Sequence, residues 1–157
     1  MDGQEHDGAA APEKHMISRL LFFSDAVFAI VLTLLVLELR PPQVEGDAEL
    51  EHAILALMPN FVAFFASFAL VSIFWAAHMA INRKLSAFDW PAAWCNLFFL
   101  FTIAVMPFVS ALIGEHGTSG TAWRAYSIVL IAASLAQTAL LLVLTRDKGR
   151  LVGGMAA

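Results

Sequence analysis

An aspartate and a histidine lie inside stretches of this chain that are otherwise apolar: Asp25 in RLLFFSDAVFAIVLTLLVLE and His78 in SIFWAAHMAIN. With Ser24 they carry the letters of a hydrolytic triad. The spacing argues against catalysis, because neighbours on a helix, such as Ser24 and Asp25, point about 100° apart. No glycine-rich nucleophile turn occurs. No His-Glu-x-x-His spacing occurs either, and Glu115-His116 has no further ligands nearby, so a metal centre is not expected. The chemistry left to such residues is that of polar groups in a greasy surrounding, where they tie helices together or meet ions.

The elements that hold them are long. The chain has 157 residues, 60% hydrophobic and only 14% charged. Soluble domains are about 45–50% apolar and about 25% charged, so a water-soluble globule is excluded. The net charge is −4 and no basic block occurs, which leaves no footprint for a nucleic acid. The reading is an all-α, polytopic helical membrane bundle. Four transmembrane spans are expected at about 17–39, 59–81, 92–113 and 122–144. Each is about 34 Å long at about 1.5 Å per residue, enough to cross about 30 Å of hydrocarbon with some tilt.

Residues 1–14 read as a disordered acidic tail and 147–157 as a cytoplasmic tail around one channel-sized domain, 15–146. Asp47–Met58 predicts a short amphipathic helix with Leu50, Ile54 and Leu57 on one face. Pro59 and Pro91 suit the first turns of their helices, and Pro107 should kink the third span. With the N-terminus inside, Lys14, Arg19, Arg83, Lys84, Arg146, Lys148 and Arg150 are cytoplasmic, against Arg40 and Arg124 outside. That bias puts both termini in the cytoplasm. The outer loop carries Glu45, Asp47, Glu49 and Glu51, either a cation-attracting mouth or a solvated loop.

A carboxylate at the depth of Asp25 costs about 2.5–3.5 kcal/mol on insertion scales and needs a partner. Arg19, six residues earlier, is on another face. Span two offers Ser72, Trp75, His78 and Asn82 along one stripe, and span three opens with Asn96. Ser24, Asp25, Trp75, His78 and Asn96 are therefore expected to form one hydrogen-bonded cluster, either docking helices or serving conduction. In span four, Ser127, Ser134 and Thr138 share a face, with Ala132 and Ala136 at the spacing of close helix packing. Farther along span one, Ile30, Leu34 and Leu37 make a stripe about 10 Å long with Thr33 beside it. Such a stripe is core, lipid contact or subunit packing. Around a symmetry axis it becomes stacked hydrophobic rings that gate ions by dewetting.

Arg19 to Glu38, with R-x-x-x-F-S-D followed by AVFAI and TLLVLE, resembles the transmembrane protein 175 family of potassium channels, found in bacteria and animal lysosomes. The resemblance continues through PNFVAFFASFALVSIFWAAHMAI, with its W-x-x-H, and NLFFLFTIAVMPF, covering about residues 17–113. It implies passive conduction by a homotetramer through a pore selective for potassium that also passes some other cations, with no carbonyl filter; permeant potassium, no cofactor and a plasma-membrane location are expected with it. It implies that Ile30, Leu34 and Leu37 form the constriction and that Thr33 bears on selectivity. Arg19, Phe23, Ser24 and Asp25 would be the signature motif, packed against Trp75, His78 and Asn96 rather than touching the ion. The family unit has six spans and four are expected here, consistent with a minimal member, a truncated reading frame or a subunit needing a partner. A non-conducting assembly or regulatory subunit and a proton-coupled transporter relaying through Asp25 and His78 are the alternatives.

Overall fold

The computed structural model describes residues 7–82 and 90–146. Among them every regular element is helical. In chain order these are α1 (Asp7–Leu37), α2 (Asp47–Ala56), α3 (Met58–Asn82), α4 (Trp90–Ala104), α5 (Met106–Glu115) and α6 (Gly120–Arg146). Four stretches are long and apolar enough to cross a membrane: His15–Leu37, Met58–Asn82, Trp90–Glu115 and Gly120–Thr145. Each contains or closely overlaps the span expected from hydropathy. The chain is a multi-pass helical membrane protein.

Local chemistry sets the helix ends. Pro59 and Pro91 are second residues of α3 and α4, where a missing N–H costs nothing. The third span breaks at Val105, and Pro107 falls in the first turn of α5, because proline cannot bond back to the preceding turn. One expectation changes. α1 begins at Asp7, inside the stretch read as unstructured. Ala9–Ala11, Glu13 and Lys14 are good helix formers, and extending an existing helix avoids the nucleation cost. Residues 1–6 and 147–157 lie outside the described residues, as do Arg83, Lys84, Lys148 and Arg150 of the charge-bias expectation. α2 starts at Asp47 as expected but ends at Ala56. Leu50 and Ile54 stay exposed on it, and it buries no residue of its own.

α1 rests against α3, α4 and α5, and α6 covers α4 and α5 from another side. The core between them is built from Phe28, Val31 and Leu35 of α1, Val71 of α3, Phe99 and Ile103 of α4, and Met106 of α5. On α6, Ala136 of the expected small-residue pair is buried while Ala132 is only half-buried. Ala133, Ala136 and Leu140 turn inward, while Ser134 and Thr138 are exposed and bond to their own backbone. α3 and α5 approach closely where Gly114 faces Asn60. A Cβ added there would lie 2.7 Å from the Asn60 amide nitrogen, so only glycine fits without a shift.

Candidate pore helix and its polar anchor

α1 presents two unlike faces. Ser24, Phe28, Val31 and Leu35 recur at intervals of four, three and four, so they share one side and are all buried. Ile30, Leu34 and Leu37 recur at four and three on another side. They stay open, with Ile30 57% and Leu37 69% exposed in the single chain.

The buried side is held by polar contacts to two other helices. The Asn96 amide of α4 donates to Ser24 Oγ at 3.0 Å. The Ser24 hydroxyl in turn donates to the Leu20 carbonyl at 2.9 Å. On the flank of the same helix, Trp75 Nε1 of α3 donates to Asp25 Oδ1 at 3.0 Å. This is the cross-helix partner that an intramembrane carboxylate requires. His78 is buried with its ring 5.7 Å from that of Phe28 and 5.2 Å from that of Phe99. Its Nε2 lies 2.7 Å from the Asn82 amide nitrogen.

The expected cluster is therefore two contacts plus a neighbour: Ser24 with Asn96, Asp25 with Trp75, and His78 with Asn82 beside them. Ser72 of the predicted stripe bonds to the Phe68 carbonyl of its own helix. Arg19 and Phe23 are not brought into the cluster. Both are exposed, Phe23 by half. They lie eleven and seven residues before Ile30, and both intervals are close to whole turns. The physical reason is that Arg19 and Phe23 share a face with the open stripe, whereas Ser24 and Asp25 turn away from it.

Thr33, on the edge of the open stripe, is exposed and donates its hydroxyl proton to the Ile30 carbonyl at 2.7 Å. Its oxygen keeps its lone pairs as acceptors. Among the described residues no group of three or more His, Cys, Asp or Glu side chains could hold a metal ion.

Several polar anchors escape the sequence reading. Gln137 of α6 donates to the Phe74 carbonyl of α3 at 3.1 Å. The Ser67 and Tyr126 hydroxyls meet at 2.9 Å in the core, and Ser110 donates to the Ala63 carbonyl at 3.3 Å. An amide in an apolar span, as at Gln137, is the signal that could have flagged the first; the others pair residue types common on many helix faces.

A bundle of four apolar spans, one of them with a polar-anchored face and an open aliphatic face, defines a multi-pass helical membrane protein. The profile of the family described as endosomal/lysosomal potassium channel TMEM175 matches residues 19–107. The chain belongs to that family. It is 35% identical over 132 residues to a potassium channel of Streptomyces collinus, covering 82% of this chain and 64% of that one. It is 30% identical over 96 residues to the endosomal/lysosomal proton channel TMEM175 of Danio rerio, covering 60% of this chain and 18% of that protein. The crystal structure of a lysosomal potassium-selective channel TMEM175 homolog from Chamaesiphon minutus superposes with a TM-score of 0.76 at 30% identity. The match covers 80% of this chain and 70% of that one. The chain spans 64–66% of the length of the bacterial curated relatives it matches. These relatives are named as channels, not enzymes.

Proposed function

We propose that this chain is the pore-forming subunit of a potassium-selective cation channel. Four copies surround an axis, and each contributes the open face of α1. Ile30, Leu34 and Leu37 form stacked hydrophobic rings at the narrowest point, and Thr33 offers a hydroxyl oxygen to a partly dehydrated ion. The observation that carries this reading is the exposed aliphatic stripe on a helix whose opposite flank is fixed by hydrogen bonds and core packing. A lone protomer would turn that stripe and the exposed Arg19 at its end toward lipid, where a cation is costly. Around a shared axis, Arg19 instead lines a water-filled vestibule below the constriction.

Flux is passive and runs down the potassium gradient. The plasma membrane is the proposed location, with both termini cytoplasmic. The test is reconstitution of the purified chain into liposomes, with potassium efflux followed with and without a pH gradient. Efflux independent of the pH gradient is expected. Strict dependence on it would favour the proton-coupled reading through Asp25 and His78. Cross-linking in mild detergent should give species up to four copies, and a persistent monomer would return the chain to a non-conducting accessory role.

A further inference from the structure

α3 and α6 cross the bundle in the same direction, because the third span returns between them. They are stitched at two levels. The Ser67 and Tyr126 hydroxyls meet at 2.9 Å, and farther along both helices Gln137 donates to the Phe74 carbonyl at 3.1 Å. Otherwise α3 packs mainly on α5, and α6 on α4 and α5. Between α3 and α6, against the end of α5, a cavity of about 540 Å³ remains. That volume is within the range of small-ligand pockets.

Shape and lining select the occupant. Met58, Val62, Ala66 and Leu70 recur every four residues along one wall, a run of about 18 Å on a helix. The trench therefore follows a membrane-spanning helix instead of crossing it. Met58, Val62 and Ala66 are exposed in the single chain, so it opens sideways, whereas Ser67 and Tyr126 are buried at its back. At the Met58 end the Trp123 indole is pinned by a bond from Nε1 to the Gly117 carbonyl at 2.7 Å. Tryptophan in that place marks the level where headgroups meet hydrocarbon.

Water is a poor occupant, because the two hydroxyls at the back bond to each other and apolar cavities stay dry. An empty void forfeits the dispersion contacts of its lining. Among the described residues no charged side chain lines the trench. Nothing there would hold a free carboxylate or an ion, so the polar end of the occupant has to stay outside, at the interface.

We propose that this trench binds one acyl chain of a bilayer phospholipid, with the headgroup level with Trp123 and the tail running down α3 to Leu70. The tail completes a contact between α3 and α6 that the two hydrogen bonds only begin. None of the lining residues belongs to α1, so the site is separate from the open stripe, and its occupancy does not depend on the channel reading.

The test is to reconstitute the full chain in phosphatidylglycerol vesicles doped with a phosphatidylglycerol that carries a photoactivatable diazirine in one chain. Adducts are mapped by mass spectrometry after irradiation. Labelling at Val62, Leu70 and Ile113 should be several-fold heavier than at Phe101 and Leu135, which are exposed but outside the trench. Ala66→Trp, which fills the trench from an exposed position, should remove that excess. Equal labelling inside and outside in the parent means ordinary lipid contact and overturns the proposal, as does a trench left unlabelled because another chain fills it. The parent comparison decides even where the tryptophan variant folds poorly. Where it folds, added phosphatidylglycerol should raise the thermal midpoint of the solubilised parent, as a ligand of the folded state does, and raise that of Ala66→Trp less. Equal rises overturn the assignment to this trench.

Discussion

Two sides of one helix have opposite needs. The side of α1 carrying Ser24, Phe28, Val31 and Leu35 is satisfied within a single chain, with its polar atoms paired and its rings packed. The side carrying Ile30, Leu34 and Leu37 is covered by nothing among the described residues. Both are largely aliphatic, so hydropathy treats them alike. Position tells them apart: polar residues that require a partner fix one side inward, and the other is left open. A bilayer supplies no hydrophobic drive between helices, so it is the anchors that must choose the rotation of α1.

The contrast fails first if the anchored side proves dispensable. Phe28→Ala removes a ring that is 1% exposed and touches both His78 and Phe99. By the cost of comparable core truncations, about 3–5 kcal/mol, it should lower the thermal midpoint steeply and reduce recovery of folded protein on size-exclusion chromatography. Leu34→Ala on the open side should change stability by no more than about 0.5 kcal/mol. Under the channel reading it should raise potassium leak on the order of tenfold, the effect of about 1.4 kcal/mol off a barrier. Unchanged flux would remove Leu34 from the pore. Asp25→Asn is milder than either. Asparagine keeps an acceptor for Trp75 Nε1 but loses the charge, the difference between a charge-assisted and a neutral hydrogen bond, about 1 kcal/mol. Assembly should weaken while ion preference stays, and intact assemblies with altered preference would move Asp25 into the conduction path.

Much of this architecture is legible in the sequence, and the reasons are physical. A lipid-spanning helix must be about 20 apolar residues long, so four spans and the break near Pro107 follow from composition and from one missing N–H. Ser24, Asp25, Trp75 and Asn96 stand out because polar atoms in hydrocarbon must pair. What stays hidden is how those atoms divide among partners. Nothing in the spacing says that Asp25 takes Trp75 while His78 turns to Asn82 four residues along its own helix. Arg19 and Phe23 belong to the same short motif as Ser24, yet three-dimensional phase separates them. Ser67 with Tyr126, fifty-nine positions apart, depends on which helices neighbour each other, and periodicity carries no such information.

The smallest expected effect sets two threonines against each other. Thr33 and Thr102 make the same local bond, hydroxyl to the carbonyl three residues earlier, at 2.7 and 2.6 Å. Thr33 is exposed on the open side of α1, whereas Thr102 is buried in α4. Valine matches threonine in shape, so either substitution removes a hydroxyl that already has an intrahelical partner, and neither should unfold the protein. Only at position 33 does the oxygen also face outward, with lone pairs free for an ion. Thr33→Val should therefore lower the potassium-to-sodium flux ratio by less than tenfold, under about 1.4 kcal/mol, because one hydroxyl replaces only part of a hydration shell. Thr102→Val should leave the ratio where it was. Equal changes from the two variants would mean that the ratio responds to helix geometry rather than to a hydroxyl in the lumen. The open side of α1 would then lose its claim to selectivity while keeping its claim to the constriction.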